Sequence, residues 1–271
     1  MTRVGIIGGA GRMGQAIAGC LLDGLVPGLE LACSVDLATN PAQGQDLGLL
    51  AGRAPCGVAL SSSLPEALEQ ADLFIDFSFH TGVKERLEVL KSAGKAVVIG
   101  TTGLTEAEQA DVAAAALVIP VLFAPNMSLG VNLLANLVEQ AARTLKDKGY
   151  DIEITEMHHR MKKDAPSGTA LFLGEAAAKG SDWVLSEVQK DGRTGIEGER
   201  PAKEIGFHAL RGGDVVGDHT VRFAADGELI DLSHRATRRE TFAIGALRAA
   251  EWLSSQSSGR LYSMKDVLGL D

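Results

Sequence analysis

Cysteine is scarce in this 271-residue sequence and is not placed for chemistry. Cys20, Cys33 and Cys56 are odd in number, lack C-x-x-C or Cys/His spacing and lie among apolar or small residues. That excludes a disulfide framework and a structural zinc site, so no metal is expected and the thiols read as reduced packing groups. Long apolar runs are missing too, since none approaches the roughly 20 residues of a membrane helix. The start MTRVGIIGG passes straight into a strand, without the charged region, apolar region and cleavage site of a signal peptide. A soluble, cytoplasmic protein with no membrane partner is expected. Basic residues are outnumbered, 26 Lys and Arg against 35 Asp and Glu, and a pI near 5.2 offers no extended basic face for nucleic acid. A chain that is 45% hydrophobic, with no internal repeat or low-complexity tract, can bury the cores of two medium domains.

Against that acidic background one stretch inverts the charge. Five of the six positions from His158 to Lys163 are His, Lys or Arg. The residues that follow, Asp164 to Thr169, carry helix-start chemistry: a Ser or Thr for the N-cap and a Pro near the first turn, ahead of the helix-forming run 170–179. A helix N-terminus presents N–H groups and the positive end of the dipole. The stretch therefore reads as a pocket for a small anion that also needs a proton. His158 and His159 follow an alternating strand, residues 151–156, and in extended backbone the two imidazoles point to opposite faces.

The N-terminus carries a second motif. The apolar run 3–7 feeds into Gly8-Gly9-Ala10-Gly11-Arg12-Met13-Gly14 and then into the helical pattern 15–25. A second strand, 29–35, ends in Asp36, where a carboxylate can accept the ribose hydroxyls of an adenosine. Glycines alone say little; strand, glycine loop, helix, strand and acid in that order predict a dinucleotide site. Apolar runs at 58–60, 73–75, 96–99 and 118–123 then alternate with helices, which predicts a doubly wound parallel Rossmann sheet in an α/β fold. Ligands of such sheets lie at the carboxyl ends of the strands, next to Gly100-Thr101-Thr102 and Ala124-Pro125-Asn126-Met127. His80, in another of these loops, reads as an ordinary loop histidine.

The character of the chain changes after the helix 130–146. Strand-like segments 205–210, 215–223 and 229–234, joined by Gly-Gly-Asp and Ala-Asp-Gly turns, predict a second, α+β domain on an open, mainly antiparallel sheet. Its outer face is expected to be apolar and uncovered. Residues 190–201 are polar and Gly-rich and are expected to form a mobile loop.

The run from Glu156 to Ala170, E-x-H-H-x-x-K-x-D-A-P-S-G-T-A, resembles the signature of the 4-hydroxy-tetrahydrodipicolinate reductase (dihydrodipicolinate reductase) family, and the likeness extends over essentially the whole chain. The resemblance implies an NAD(P)H-dependent reductase of a small cyclic dicarboxylate in lysine and diaminopimelate biosynthesis. It implies a dinucleotide-binding domain over 1–129, onto which the C-terminal segment 240–271 packs, and a substrate-binding and tetramerisation domain over 130–239. His158 corresponds to the acid/base, Lys162 to a second proton donor and carboxylate partner, His159 to a substrate contact, and Gly168 and Thr169 to backbone donors for a substrate carboxylate. Gly8, Gly9, Ala10, Gly11, Arg12, Met13 and Asp36 would hold the cofactor, with the nicotinamide end against Gly100–Thr102 and Ala124–Met127. The family's NADPH users often carry a basic residue just after the acid, whereas here Asp36 is followed by Leu37, Ala38 and Thr39. NADH is therefore expected to be preferred, with NADP use still possible through Arg12. A homotetramer is implied. Two rivals are weaker: a semialdehyde dehydrogenase needs a nucleophilic Cys beyond Cys56, and a dinucleotide sensor has no use for His158 with Lys162.

Overall fold

The computed structural model describes residues 1–270. They fall into two compact units, Met1–Leu129 with the chain from Glu240 on, and Gly130–Arg239. The first unit alternates β1 (Thr2–Ile7), α1 (Arg12–Leu22), β2 (Leu29–Val35), α2 (Leu47–Leu50), β3 (Leu60–Ser61), α3 (Leu64–Ala67), β4 (Leu73–Asp76), α4 (Val83–Ser92), β5 (Ala96–Ile99), α5 (Glu106–Ala116) and β6 (Val121–Phe123). Strands β4 and β5 read LFID and AVVI and are buried along nearly their whole length, as strands covered on both faces must be. Helix α5 starts where a reciprocal cap permits: Thr105 accepts from the Glu108 N–H, and the Glu108 carboxylate accepts from the Thr105 N–H.

The chain next forms α6 (Leu129–Leu145), β7 (Asp151–His158), α7 (Gly168–Gly180), α8 (Leu185–Val188), β8 (Gln189–Asp191), β9 (Ile205–Arg211), β10 (Gly217–Ala225) and β11 (Glu228–Ala236). It then returns to the first unit as α9 (Glu240–Leu253), β12 (Leu261–Tyr262) and α10 (Met264–Leu268). Helix α9 buries Ala243, Ala246, Leu247, Ala250 and Leu253 against Ile6 and Ile75 of the parallel sheet. Strand β12 adds a seventh strand beside β6, giving the all-parallel order β12-β6-β5-β4-β1-β2-β3. The chain lays strands outward from β1 on one side, then returns and lays them outward on the other. The reversal falls between β1 and β4, and the loops that open there carry the glycine motif and Phe77-Ser78-Phe79, with the Gly100 loop next to them after β5. Among the described residues no helix is long and apolar enough to cross a membrane.

The second unit is α+β, but its sheet is mixed, in the order β11-β10-β7-β9-β8. Strands β10 and β11 form the antiparallel hairpin that the Ala225-Asp226-Gly227 turn predicts. The Gly212-Gly213-Asp214 turn does not make neighbours of β9 and β10. Instead β7 lies between them, antiparallel to β10 and parallel to β9. The reason is local: the 212–216 link arches over the end of β7, with the His159 N–H donating to the Val215 carbonyl and the Gly212 N–H to the His158 carbonyl. A short link limits distance, not adjacency, and β7 supplies the apolar residues Ile152 and Ile154 that the centre of the sheet needs.

Two further expectations change. One face of this sheet packs Ile152, Ile154, Ile205, Phe207, Val221 and Phe223 against α6 and α7. The other is polar rather than apolar: Thr220 meets Ser233 at 2.8 Å, and Arg222 pairs with Asp231 at 2.6 Å. The segment 190–201 is strapped down, because Glu153 on the central strand accepts from Arg193 at 2.9 Å and from Arg200 at 2.8 Å. Burial would raise the Glu153 carboxyl, but the two guanidiniums and His208 outweigh it and hold it down to about 2.

Candidate active site

In the first unit the glycine motif makes a cradle that side chains would fill. Gly8 has φ +85°, and a Cβ there would lie 2.8 Å from the Phe77 carbonyl oxygen. A Cβ on Gly14 would lie 2.3 Å from the Gly8 carbonyl oxygen, so α1 packs against its own loop only as glycine. Gly11 caps α1 without a side-chain bond, which leaves the helix N-terminus open toward the loop. Asp36, at the end of β2, accepts from the Ala10 N–H at 3.0 Å and from the Leu37 N–H at 2.8 Å. One carboxylate thus ties the glycine loop to the second strand, beside the place where a ribose would be read. These residues fit a dinucleotide: a backbone cradle for a pyrophosphate, a helix N-terminus and an acid for the ribose.

The other sequence-predicted cofactor loops divide by what their side chains do. Gly9 is buried, and Ala10 is half-buried; Gly11 and Arg12 are exposed, while Met13 packs against the core. A Cβ on Gly100 would meet the Phe77 ring at 2.2 Å, so the loops after β4 and β5 touch there. Thr101 is buried with its hydroxyl 3.4 Å from Asp76, whereas Thr102 is exposed. Ala124 and Met127 are core residues that leave only backbone to a ligand, Pro125 is exposed, and the Asn126 side chain accepts from the Ser128 N–H at 2.9 Å. His80 bonds both carboxylate oxygens of Glu108 at 3.0 Å, which ties its loop to the start of α5 and makes it a structural histidine.

In the second unit the basic stretch leaves the end of β7. Period-two alternation sends Glu156 and His158 to the face that packs on the helices, and both are buried, 1% and 8% exposed. The His158 Nδ1–H donates to Glu156 Oε2 at 2.6 Å. Glu156 also accepts from Arg211 at 2.8 and 2.9 Å and from the Ser167 N–H at 3.0 Å. Burial would raise the Glu156 carboxyl, but the Arg211 and His158 bonds prevail and keep it ionised below the usual carboxylate range. His158 is shifted down: burial disfavours its cation by more than Glu156 favours it, and Lys162 and Arg211 add to the effect. His219, 3% exposed, stacks edge-on to His158 with centroids 5.0 Å apart, and its Nε2 lies 3.2 Å from Ser167 Oγ. Burial brings His219 down to about 4, so it stays neutral.

The remaining predicted residues ring this cluster. His159 is half-buried beyond the strand end, its Nε2 3.4 Å from Arg239. Lys162 follows in a turn closed by its N–H on the His159 carbonyl, and its Nζ pairs with exposed Asp164 at 2.8 Å. Gly168 and Thr169 are the first two residues of α7, whose cap is Ser167, accepting from the Ala170 N–H at 3.2 Å. The arrangement can hold an anion near the helix start and exchange a proton through His158 Nε2. Sequence reasoning did not single out Glu156, Arg211 or His219. Glu156 had a signal, two residues before His158 on one strand face. Arg211 had none, since it reaches Glu156 across 55 positions.

The class follows from the two sites: this is an oxidoreductase with a Rossmann-type domain that binds NAD(P). Sequence profiles described as dihydrodipicolinate reductase, N-terminus and C-terminus, match residues 2–127 and 130–268. The chain belongs to the dihydrodipicolinate reductase family. It is 50% identical over 270 residues to a 4-hydroxy-tetrahydrodipicolinate reductase of Anaeromyxobacter dehalogenans, covering 100% of this chain and 98% of that protein. It is 46% identical to the enzyme of the same name from Hahella chejuensis, covering 100% of both chains. Among solved structures, dipicolinate-bound dihydrodipicolinate reductase from Paenisporosarcina sp. TG-14 shares the fold, with a TM-score of 0.76 at 24% identity over 97% of each chain.

Proposed function

We propose that this chain reduces (S)-4-hydroxy-tetrahydrodipicolinate to tetrahydrodipicolinate in lysine and diaminopimelate biosynthesis, with His158 as the proton donor. The observation that carries the reading is the bond from His158 Nδ1 to the ionised Glu156 inside the family's own signature run. When bound, the nicotinamide supplies the hydride. His158 Nε2 supplies the proton that completes the reduction, and water is lost from the 4-hydroxy compound before or during that step. Gly168 and Thr169 offer backbone donors to one substrate carboxylate. Lys162 takes the carboxylate in place of Asp164, a partner whose side chain is 60% exposed and therefore weakly held. His159 contacts substrate from the rim. Gly8 to Met13 and Asp36 hold the dinucleotide, and the loops Gly100–Thr102 and Ala124–Met127 receive its nicotinamide end.

The test follows NADH absorbance while substrate is generated in place from pyruvate and aspartate semialdehyde. Oxidation of NADH that depends on both this chain and that substrate is expected; no oxidation above the enzyme-free rate would overturn the reading. The same assay ranks the cofactors. With Asp36 at the ribose and no base at Leu37, Ala38 or Thr39, a 2′-phosphate meets a carboxylate without a compensating cation except Arg12. A higher kcat/KM for NADH is expected, with some NADPH use, and a clear NADPH preference would refute it.

The place of work is the cytoplasm, consistent with three free cysteines. The assembly is a homotetramer, built through the second sheet, whose outer face is polar and whose strand β11 is an exposed edge among the described residues. Light scattering at micromolar concentration is expected to give four times the 28.4 kDa chain mass. A stable monomer would remove this part of the proposal.

A further inference from the structure

Glu156 receives four donors on two oxygens. Oε1 accepts from the Ser167 N–H at 3.0 Å and Arg211 Nη2 at 2.9 Å, and Oε2 from His158 Nδ1 at 2.6 Å and Arg211 Nη1 at 2.8 Å. Arg211 is itself aimed by carbonyls, donating to Leu210 and Asp164 at 2.6 Å each. The guanidinium and the amide can only donate, so the imidazole is the one partner able to change role. On its other side, His158 Nε2 faces Gly217, where an added Cβ would lie 3.2 Å away.

We propose that Glu156 and Arg211 are positioning residues that act through His158: the carboxylate keeps the proton on Nδ1, so that Nε2 is the nitrogen that carries the transferred proton, and Arg211 holds the carboxylate in that task. The inference rests on the reading of His158 as the acid. The charged and titratable groups around the imidazole are Glu156 on its own strand, Arg211 from β9, His219 from β10 and Lys162 from the following turn. Glu156 favours the imidazolium, whereas burial, Lys162 and Arg211 disfavour it, so the carboxylate opposes loss of the His158 proton at neutral pH.

The test is Glu156→Gln. Its amide group must face a donor, and the only partner that can turn acceptor is His158 Nδ1, which moves the imidazole proton to Nε2. With the tautomer reversed and the negative charge gone, kcat/KM at pH 7 is expected to fall by about two orders of magnitude or more, the scale seen when a triad histidine loses its orienting carboxylate. The limb of the pH profile that requires a protonated group should move to lower pH, while NADH binding stays unchanged. Nitrogen-15 chemical shifts of the imidazole read the tautomer without turnover: Nδ1–H in the wild type, Nε2–H in the variant. The double variant His158→Gln/Glu156→Gln should be no slower than His158→Gln alone, because Glu156 has nothing left to act through. Additive losses, or an unmoved pH profile with wild-type nitrogen shifts, would overturn the proposal. Should Glu156→Gln not fold, Arg211→Lys serves in its place. It keeps the charge but loses the fork, and is expected to lose about tenfold in kcat/KM with the same shift of the pH profile. If His158→Gln itself keeps its activity, the reading of the acid fails, whatever Glu156 does.

Discussion

His158→Gln is expected to lower kcat by roughly two to four orders of magnitude, the usual contribution of a positioned acid. Glutamine is close in reach to the imidazole and keeps a donor for Glu156, so the buried carboxylate retains its partner and the fold should survive. What disappears is a group that can give up a proton near neutral pH. NADH affinity should barely change, because the glycine cradle and Asp36 lie in the other compact unit. Kinetics at saturating substrate, NADH titration by calorimetry and a melting curve together decide the matter. A well-folded variant that keeps more than about a tenth of wild-type kcat would move the acid to Lys162 or His159. The structure ranks those two: Lys162 neighbours His158 closely enough to lower its proton affinity, while His159 turns toward Arg239.

Asp36→Ala should produce the opposite pattern. A charge-assisted hydrogen bond is worth about 1.5–3 kcal/mol, so losing the ribose acceptor should weaken NADH binding by about 10- to 100-fold. At saturating NADH, kcat should stay much closer to wild type, since Asp36 touches nothing that reacts. The same substitution removes the acceptor for the Ala10 and Leu37 N–H groups, so a small drop in melting temperature is expected with it. Calorimetric titration separates the two effects. Unchanged NADH affinity with a collapsed kcat would show that Asp36 is not the ribose acceptor.

Much of this was legible along the chain because it is local. A strand, a glycine turn, a helix and an acid are consecutive features, and each follows from period, turn chemistry or capping within a few residues. The Ser167 cap of α7 and the reciprocal cap at Thr105 belong to the same kind of evidence. Alternation along β7 likewise places Glu156 and His158 on one face before any contact is known. Strand order is different. The Gly212-Gly213-Asp214 turn is compatible with β9 beside β10 or with β7 between them, and only the burial of Ile152 and Ile154 in the middle of the sheet decides. Two-residue β12 is too short to have a period, and exists because β6 offers it an edge.

The site divides along the same line. Residue types and their spacing determined that an acid, a cation and a helix start converge near His158, and that a dinucleotide cradle precedes Asp36. What holds Glu156 and encloses His158 was decided by Arg211, which forks onto the carboxylate, and His219, which packs edge-on to the imidazole, brought in from β9 and β10 by pairings with no trace in local sequence. Burial supplied the rest: an ionised Glu156 that bonds this strongly requires water to be excluded and a guanidinium held beside it, and both are properties of the assembled sheet and helices.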